Sequence, residues 1–171
     1  GRKATVPMAL HVATTLNMLC RDSKKLGISH AYYFQPVNEG AITATPLKAF
    51  FDLAGKVFKL FKVHQKSYLI DIQHGDSDID ICASLAEDGK SVFVTAINRN
   101  CEKEMPLSLT LDNFESESNA EVKMLIPKSL KTDEKEMGES SQILSVENNR
   151  IDLNLPAGTI ALITFKDHIL D

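Results

Sequence analysis

The sequence predicts a mainly β protein: an antiparallel β-sandwich, jelly-roll-like, of seven or eight strands, preceded by a helix–strand–helix segment. Three observations carry this. The apolar period is 3.6 at first and switches to two near Gln65-Lys66-Ser67. Short alternating runs then recur, separated by tight-turn pairs such as Asp88-Gly89 and Asn148-Asn149. Hydrophobic residues make up 43% of the 171, enough for a packed core. The switch of period also sets the expected domain boundary, with residues 1–66 as the helical segment and residues 67–171 as the sandwich.

In the first segment Thr5 is a candidate N-cap and Pro7 suits a first helical turn. Ala9, Val12, Ala13, Leu16, Leu19 and Cys20 then share one face, and Gly27 stops the helix. Ile28 to Val37 is rich in aromatic and β-branched residues and reads as a strand. Both of its parities hold apolar side chains, the pattern of a strand covered on both faces. Thr45-Pro46 opens a second helix by cap and first-turn logic. Its expected buried stripe is Leu47, Phe50, Ala54, Val57, Phe58 and Phe61, with Lys48, Asp52 and Lys59 outside.

Beyond Ser67 the strands are read from alternation. They fall at Tyr68–Ile72, around Ile79–Leu85, Val92–Ile97, Leu107–Leu111, Val122–Ile126, Ile143–Val146, Ile151–Leu155 and Ile160–Phe165. Asp78, Asp80, Cys82 and Ser84 take the opposite parity to Ile79 and Ile81 and read as a solvent face. Asp76, Asp78 and Asp80 suggest a calcium site, but that alternation favours the solvent face. Lys131 to Ser141 reads as a solvated loop between strands.

Composition narrows the function. The net charge of −4 points away from nucleic acid and from anionic lipid. No run approaches the roughly 20 apolar residues of a membrane span. Cys20, Cys82 and Cys101 leave at least one thiol unpaired, so a reducing, cytoplasmic compartment is expected. The five histidines (His11, His30, His64, His74, His168) form no i, i+4 pair and join no cysteine cluster. The glycines form no phosphate loop and no Gly-x-Ser-x-Gly elbow exists, so neither metal nor cofactor is expected.

One stretch carries convergent polar groups: Tyr32-Tyr33-Phe34-Gln35-Pro36-Val37-Asn38-Glu39-Gly40. Gln35 and Asn38 can orient a polyol by paired donor and acceptor contacts, and Glu39 can accept from a hydroxyl. The other reading is that they cap the following helix and satisfy the loop backbone. No second carboxylate is paired with Glu39 by any motif, so no catalytic residue is assigned.

Several stretches together resemble a family. They are Ala9-Leu10, Ala13, Leu16-Asn17 and Arg21 in the first helix, Gln35-Pro36-Val37-Asn38, and Thr45-Pro46 before Phe61-Lys62-Val63-His64-Gln65. This order is similar to the last barrel turns of family 51 α-L-arabinofuranosidases. Val94-Thr95-Ala96-Ile97-Asn98 and Leu155-Pro156-Ala157-Gly158-Thr159-Ile160 resemble the C-terminal sandwich of those and related clan-A glycosidases. Tyr33 to Ile42 departs from the family pattern, with Pro36 and Glu39-Gly40 in place of apolar residues.

The resemblance implies a (β/α)₈ barrel end followed by an accessory sandwich, and a carbohydrate substrate reached through a parent enzyme. Retaining glycosidases need two carboxylates, which in the family follow barrel strands 4 and 7. The expectation is therefore a C-terminal fragment, inactive alone, with both glutamates upstream of Gly1. The alternative is a non-catalytic carbohydrate-binding or protein-interaction module. Tyr32, Tyr33 and Tyr68 are expected in or beside buried strands, which counts against sugar stacking. Cut from a barrel, Leu47, Phe50, Phe58 and Phe61 are expected to form an apolar patch that drives homo-oligomerisation.

Overall fold

In the computed structural model, residues 3–75 and 78–168 are described. Helix α1 (Val6–Leu26) begins after the expected cap residue Thr5, carries Pro7 in its first turn, and ends at Gly27 in the left-handed region. The Val6 N–H donates to the Glu134 carbonyl oxygen at 2.7 Å, so a loop from the sandwich closes the start of the helix. A hairpin follows, β1 (Ile42–Ala44) and β2 (Ala49–Phe51), and then α2 (Leu53–Phe61) with a 3₁₀ turn at Lys62–His64.

Three expectations about this first segment are corrected. Ile28 to Val37 is not a buried strand; it runs as irregular, mostly exposed chain, with an isolated bridge between Val37 and Ile42. A strand covered on both faces needs neighbours for its ladder, and Gln35 (φ 50°) and Asn38 (φ 60°) interrupt the extended path. Secondly, Thr45-Pro46 opens a hairpin turn rather than a helix. The Thr45 N–H donates to the Lys48 carbonyl at 2.8 Å, and Thr45 Oγ1 accepts from the Lys48 N–H at 3.1 Å. A threonine side chain that caps a free amide three residues on serves a turn as well as a helix start.

The third correction follows from the second. The N-cap of α2 is Asp52, whose Oδ1 accepts from the Leu53 N–H at 2.9 Å. Asp52 is buried rather than outside, and its Oδ2 also accepts from the Ala4 N–H. Gly55, in the first turn, lies hard against the backbone of Ala41, where a Cβ would overlap the Ala41 carbonyl oxygen. That close approach is why glycine sits inside the helix despite its cost.

The remaining strands are β3 (Tyr68–Ile70), β4 (Ile79–Leu85), β5 (Ser91–Asn98), β6 (Met105–Thr110), β7 (Ser116–Pro127), β8 (Met137–Ser145), β9 (Arg150–Leu155) and β10 (Ile160–Asp167). They form a six-stranded antiparallel sheet, in the order β3-β4-β5-β10-β7-β8, facing a two-stranded one, β6-β9. This is the antiparallel sandwich that the alternation predicts. The turns are those the sequence marks: Gly89 is left-handed between β4 and β5, and Asn148 and Asn149 both have positive φ between β8 and β9. The expected loop over Lys131–Ser141 is shorter, because residues from Met137 onward already pair with β7 as an edge strand. Residues Gly138 to Ile143 are all exposed and mostly polar, which hides this part of the strand from a hydropathy reading.

The inner face of the large sheet is hydrocarbon. Ile81, Val94, Val122, Ile163 and Phe165 pack against Leu107, Ile151 and Leu155 of the small sheet. The outer face carries the helices. Ala9, Leu10 and Ala13 of α1 and Leu53, Ala54, Val57 and Phe61 of α2 form a second core with Ile97, Leu125 and Ile160. Part of the α2 stripe expected to lie open is thus covered by the chain's own sheet, while Leu47 is 96% exposed at the hairpin tip. Among the described residues no helix is long and apolar enough to cross a membrane.

Candidate functional site

Two regions hold the polar groups. The first is the exposed segment 28–39. Gln35 is exposed at its left-handed turn. Asn38 is half-buried, and its Oδ1 accepts from the Ala44 N–H at 2.8 Å, tying the segment to β1. Glu39 is exposed, and its carbonyl oxygen accepts from the Tyr33 hydroxyl at 3.0 Å. The three residues lie within one short stretch but share no hydrogen bond, and two surface depressions of the molecule lie elsewhere. One is lined by Glu115, Ser118, Asn148 and Asn149, the other by Gln65, Lys66, Glu87 and Phe93.

The aromatic residues of this segment are not where the sequence suggests. Tyr32 is 85% and Phe34 83% exposed, and Tyr68 is also exposed. The Tyr32 ring lies parallel to His30, with centroids 5.9 Å apart and planes 5° apart. Tyr33 alone turns inward, edge-on to Phe58 at 5.8 Å.

The second region is a polar layer between the helices and the sheet, built from residues read as a solvent face. Asp80 is buried. It accepts from Asn17 Nδ2 at 2.7 Å and from the Arg21 guanidinium at 2.8 and 3.2 Å. Asn17 and Arg21 are one helical turn apart and so face β4 together. Thr95, opposite Cys82 in the β4–β5 ladder, donates its hydroxyl proton to Asn17 Oδ1 at 2.6 Å. His64 closes the layer from the end of α2: Nδ1 lies 2.7 Å from Ser84 Oγ, and Nε2 lies 3.1 Å from Thr95 Oγ1.

These contacts fix the tautomer by elimination. An amide oxygen only accepts, so the single Thr95 proton goes to Asn17. His64 must then donate from Nε2 to Thr95, leaving Nδ1 to accept from the Ser84 hydroxyl. Burial disfavours the charged ring and pulls the His64 pKa down to about 4. The ring is neutral and its hydrogen bonds satisfied, which is the chemistry of a docking joint. A reacting group would instead need a free lone pair or an open face. Asp78 hydrogen-bonds Asn100 at 3.0 Å, and Asp76 lies outside the described residues. Among the described residues no cluster of three or more His, Cys, Asp or Glu side chains gathers around a common point.

A third knot joins the two sandwich stretches singled out in the sequence. The Asn98 side chain shares its amide protons among the carbonyls of Lys103, Leu155 and Pro156 at 2.9–3.0 Å. Its backbone N–H donates to the Thr159 carbonyl, and the Gly158 N–H donates to Asn100. Asparagine at the end of β5 and the Leu-Pro-Ala-Gly-Thr turn are therefore one structural unit.

Comparison with solved structures places this architecture. The fold resembles that of family 51 arabinofuranosidases. The enzyme from Xanthomonas axonopodis pv. citri matches with a TM-score of 0.81 at 17% identity, over 96% of this chain and 36% of the enzyme. The α-L-arabinofuranosidase of Thermotoga maritima matches with a TM-score of 0.78 at 16% identity, over 96% and 39%. CelM2, a bifunctional glucanase-xylanase from a metagenome library, matches with a TM-score of 0.70 at 18% identity, over 98% and 30%. The chain thus spans 30–39% of these glycoside hydrolases, as a C-terminal part of them does. No family model matches the sequence, and no curated protein matches it either.

Proposed function

We propose that this chain is the C-terminal part of a glycoside hydrolase resembling α-L-arabinofuranosidase. In this reading the parent enzyme hydrolyses terminal arabinofuranosyl or related glycosidic bonds in plant polysaccharides. The sandwich is its accessory domain, and α1, the 28–39 segment and α2 are the last units of its barrel. The observation that supports the reading is a fold similarity covering 96% of this chain and about a third of each enzyme. The polar layer adds to it, since its side chains are engaged in holding helices to sheet; retaining hydrolysis needs two carboxylates roughly 5–5.5 Å apart, and no motif pairs a second one with Glu39. The catalytic pair is then supplied by preceding segments of the parent. The expected result is no turnover of an aryl α-L-arabinofuranoside by this chain, and turnover by the parent reading frame. Activity of the chain alone that vanishes in Glu39→Gln contradicts the proposal.

The exposure of Tyr32, Phe34 and Tyr68 favours a second reading, a carbohydrate-binding module. Exposed rings offer a stacking face to a sugar. A glycan array separates the two: retention that Tyr32→Ala abolishes supports binding by the chain itself, and no retention removes this reading. The exposed Leu47, Phe50 and Phe51 further support self-association of the isolated chain. Light scattering checks it; a monodisperse monomer at micromolar concentration contradicts it.

A further inference from the structure

Two of the three cysteines meet across the joint between α1 and the large sheet. Cys20 sits on the α1 face that carries Asn17 and Arg21. Both of those neighbours are anchored to β4: Asn17 Nδ2 reaches the Asp80 carbonyl at 3.2 Å, and Arg21 reaches the Ile81 carbonyl at 2.8 Å. Cys82 shares the outer face of β4 with Asp80, two residues away, and so points at the helix those bonds clamp. Asn17 Oδ1 also accepts from Thr95, the ladder partner of Cys82, so the α1 face that carries Cys20 is held over Cys82 and the two thiols are neighbours across the joint. Cys82 is fully buried, Cys20 partly open, and Cys101 exposed.

We infer that Cys20 and Cys82 are a redox-active pair that closes to a disulfide when the protein meets a low-molecular-weight disulfide, bolting α1 to β4. The Cys20 thiol loses its proton, and the thiolate attacks one sulfur of the oxidant. The oxidant's S–S bond breaks, its first half leaves as a thiolate and takes up a proton, and a mixed disulfide remains on Cys20. Cys82 then loses its proton and attacks Cys20 Sγ, expelling the second half as a thiol. Two protein thiols are oxidised by two electrons, and one small disulfide is reduced to two thiols.

The surroundings set this order. The hydrogen bond from Cys82, with help from the nearby Arg21 charge, holds the Cys20 thiol below the ordinary thiol range despite its burial. Donating that bond, together with burial, pushes the Cys82 thiol up. Cys20 is also the one that a small oxidant can reach. It is the attacking thiol, and Cys82 resolves the mixed disulfide. The bridge constrains the unfolded chain over a long loop, so it raises the melting temperature wherever the native geometry accepts it.

The test is oxidation of the whole chain in a Cys101→Ser background, which removes the exposed thiol. The protein is incubated with oxidised glutathione, quenched in acid, denatured, alkylated and mapped without reductant. The expected result is a loss of about 2 Da for two hydrogens, no alkylated cysteine, and one peptide linking Cys20 to Cys82. The melting temperature rises and falls back when a reductant is added. In Cys82→Ala the reaction stops at a glutathione adduct on Cys20. Two alkylated cysteines, or a stable adduct on Cys20 with Cys82 still present, overturns the inference. Should Cys82→Ala not fold, the peptide map of the intact pair decides alone.

Discussion

The inner face of the large sheet meets hydrocarbon alone, at Ile81, Val94, Val122 and Ile163, whereas its outer face meets the helices in two ways. Ile97, Leu125 and Ile160 take the apolar sides of α1 and α2; beside them, starting from Asp80 opposite Ile97, Asp80, Ser84 and Thr95 take Asn17, Arg21 and His64. The difference is one of specificity. Apolar burial is non-directional and scales with area, so the inner face accepts any close-packed arrangement of the small sheet. A buried polar layer is stable only when each donor finds its acceptor. The outer face therefore fixes the rotation and register of α1 along β4, which hydrocarbon contacts alone leave loose. The same strands carry both faces, one on each parity.

The comparison can be broken first on the inner face. Phe165 is fully buried in β10, and Phe165→Ala costs about 3–5 kcal/mol by lost transfer energy and cavity formation. Chemical denaturation measures it; a loss under about 1 kcal/mol contradicts a close-packed inner core.

The polar face answers to pH where the hydrocarbon face does not. His64 has a native pKa of about 4 against an unfolded value near 6.5. Above the unfolded value both states are neutral and stability is whole. As pH falls from 6.5 the unfolded chain takes up the proton first, and stability is lost down to about 4. The loss approaches about 3 kcal/mol for this group. Denaturation midpoints at pH 7 and pH 4.5 should converge in His64→Gln, which carries no titrating ring. An unchanged pH slope in that variant removes His64 from the account.

A smaller effect is expected at Asn17. Asn17→Ala leaves the Thr95 hydroxyl without its acceptor and Asp80 with Arg21 only, a cost of about 2 kcal/mol. The substitution should lower the denaturation midpoint and leave the inner-face signals unchanged.

How far the sequence reveals this molecule depends on where each residue's partners lie. Except for the first part of β8, the strands from β4 to β10 are legible because alternation and turn chemistry are local: Gly89, Asn148 and Asn149 adopt positive φ where the strands reverse. Segment 28–37 is misread because two-sided apolar alternation means a strand only when neighbouring strands exist to pair with it. Thr45 is misread because its side chain caps a turn with the same hydrogen bond it would offer a helix. Asp80 and Ser84 read as solvent-facing because their partners, Asn17, Arg21 and His64, are distant in sequence. Among the candidate sugar-facing residues, Asn38 holds the backbone of β1, an interaction its side-chain type permits but does not announce. The meeting of Cys20 with Cys82 has no sequence signal at all, since their spacing is set by the docking of α1.

The polar layer makes α1 and the large sheet one body. Hydrogen exchange across the native chain tests it most directly. Amides near Asn17 in α1 and amides near Thr95 in β5 should open with the same free energy, and both should lose protection together as pH falls below about 6.5. Exchange in α1 that proceeds while β5 stays closed, with no change across that pH range, would contradict it and leave the division near residue 66 as the true boundary of the fold.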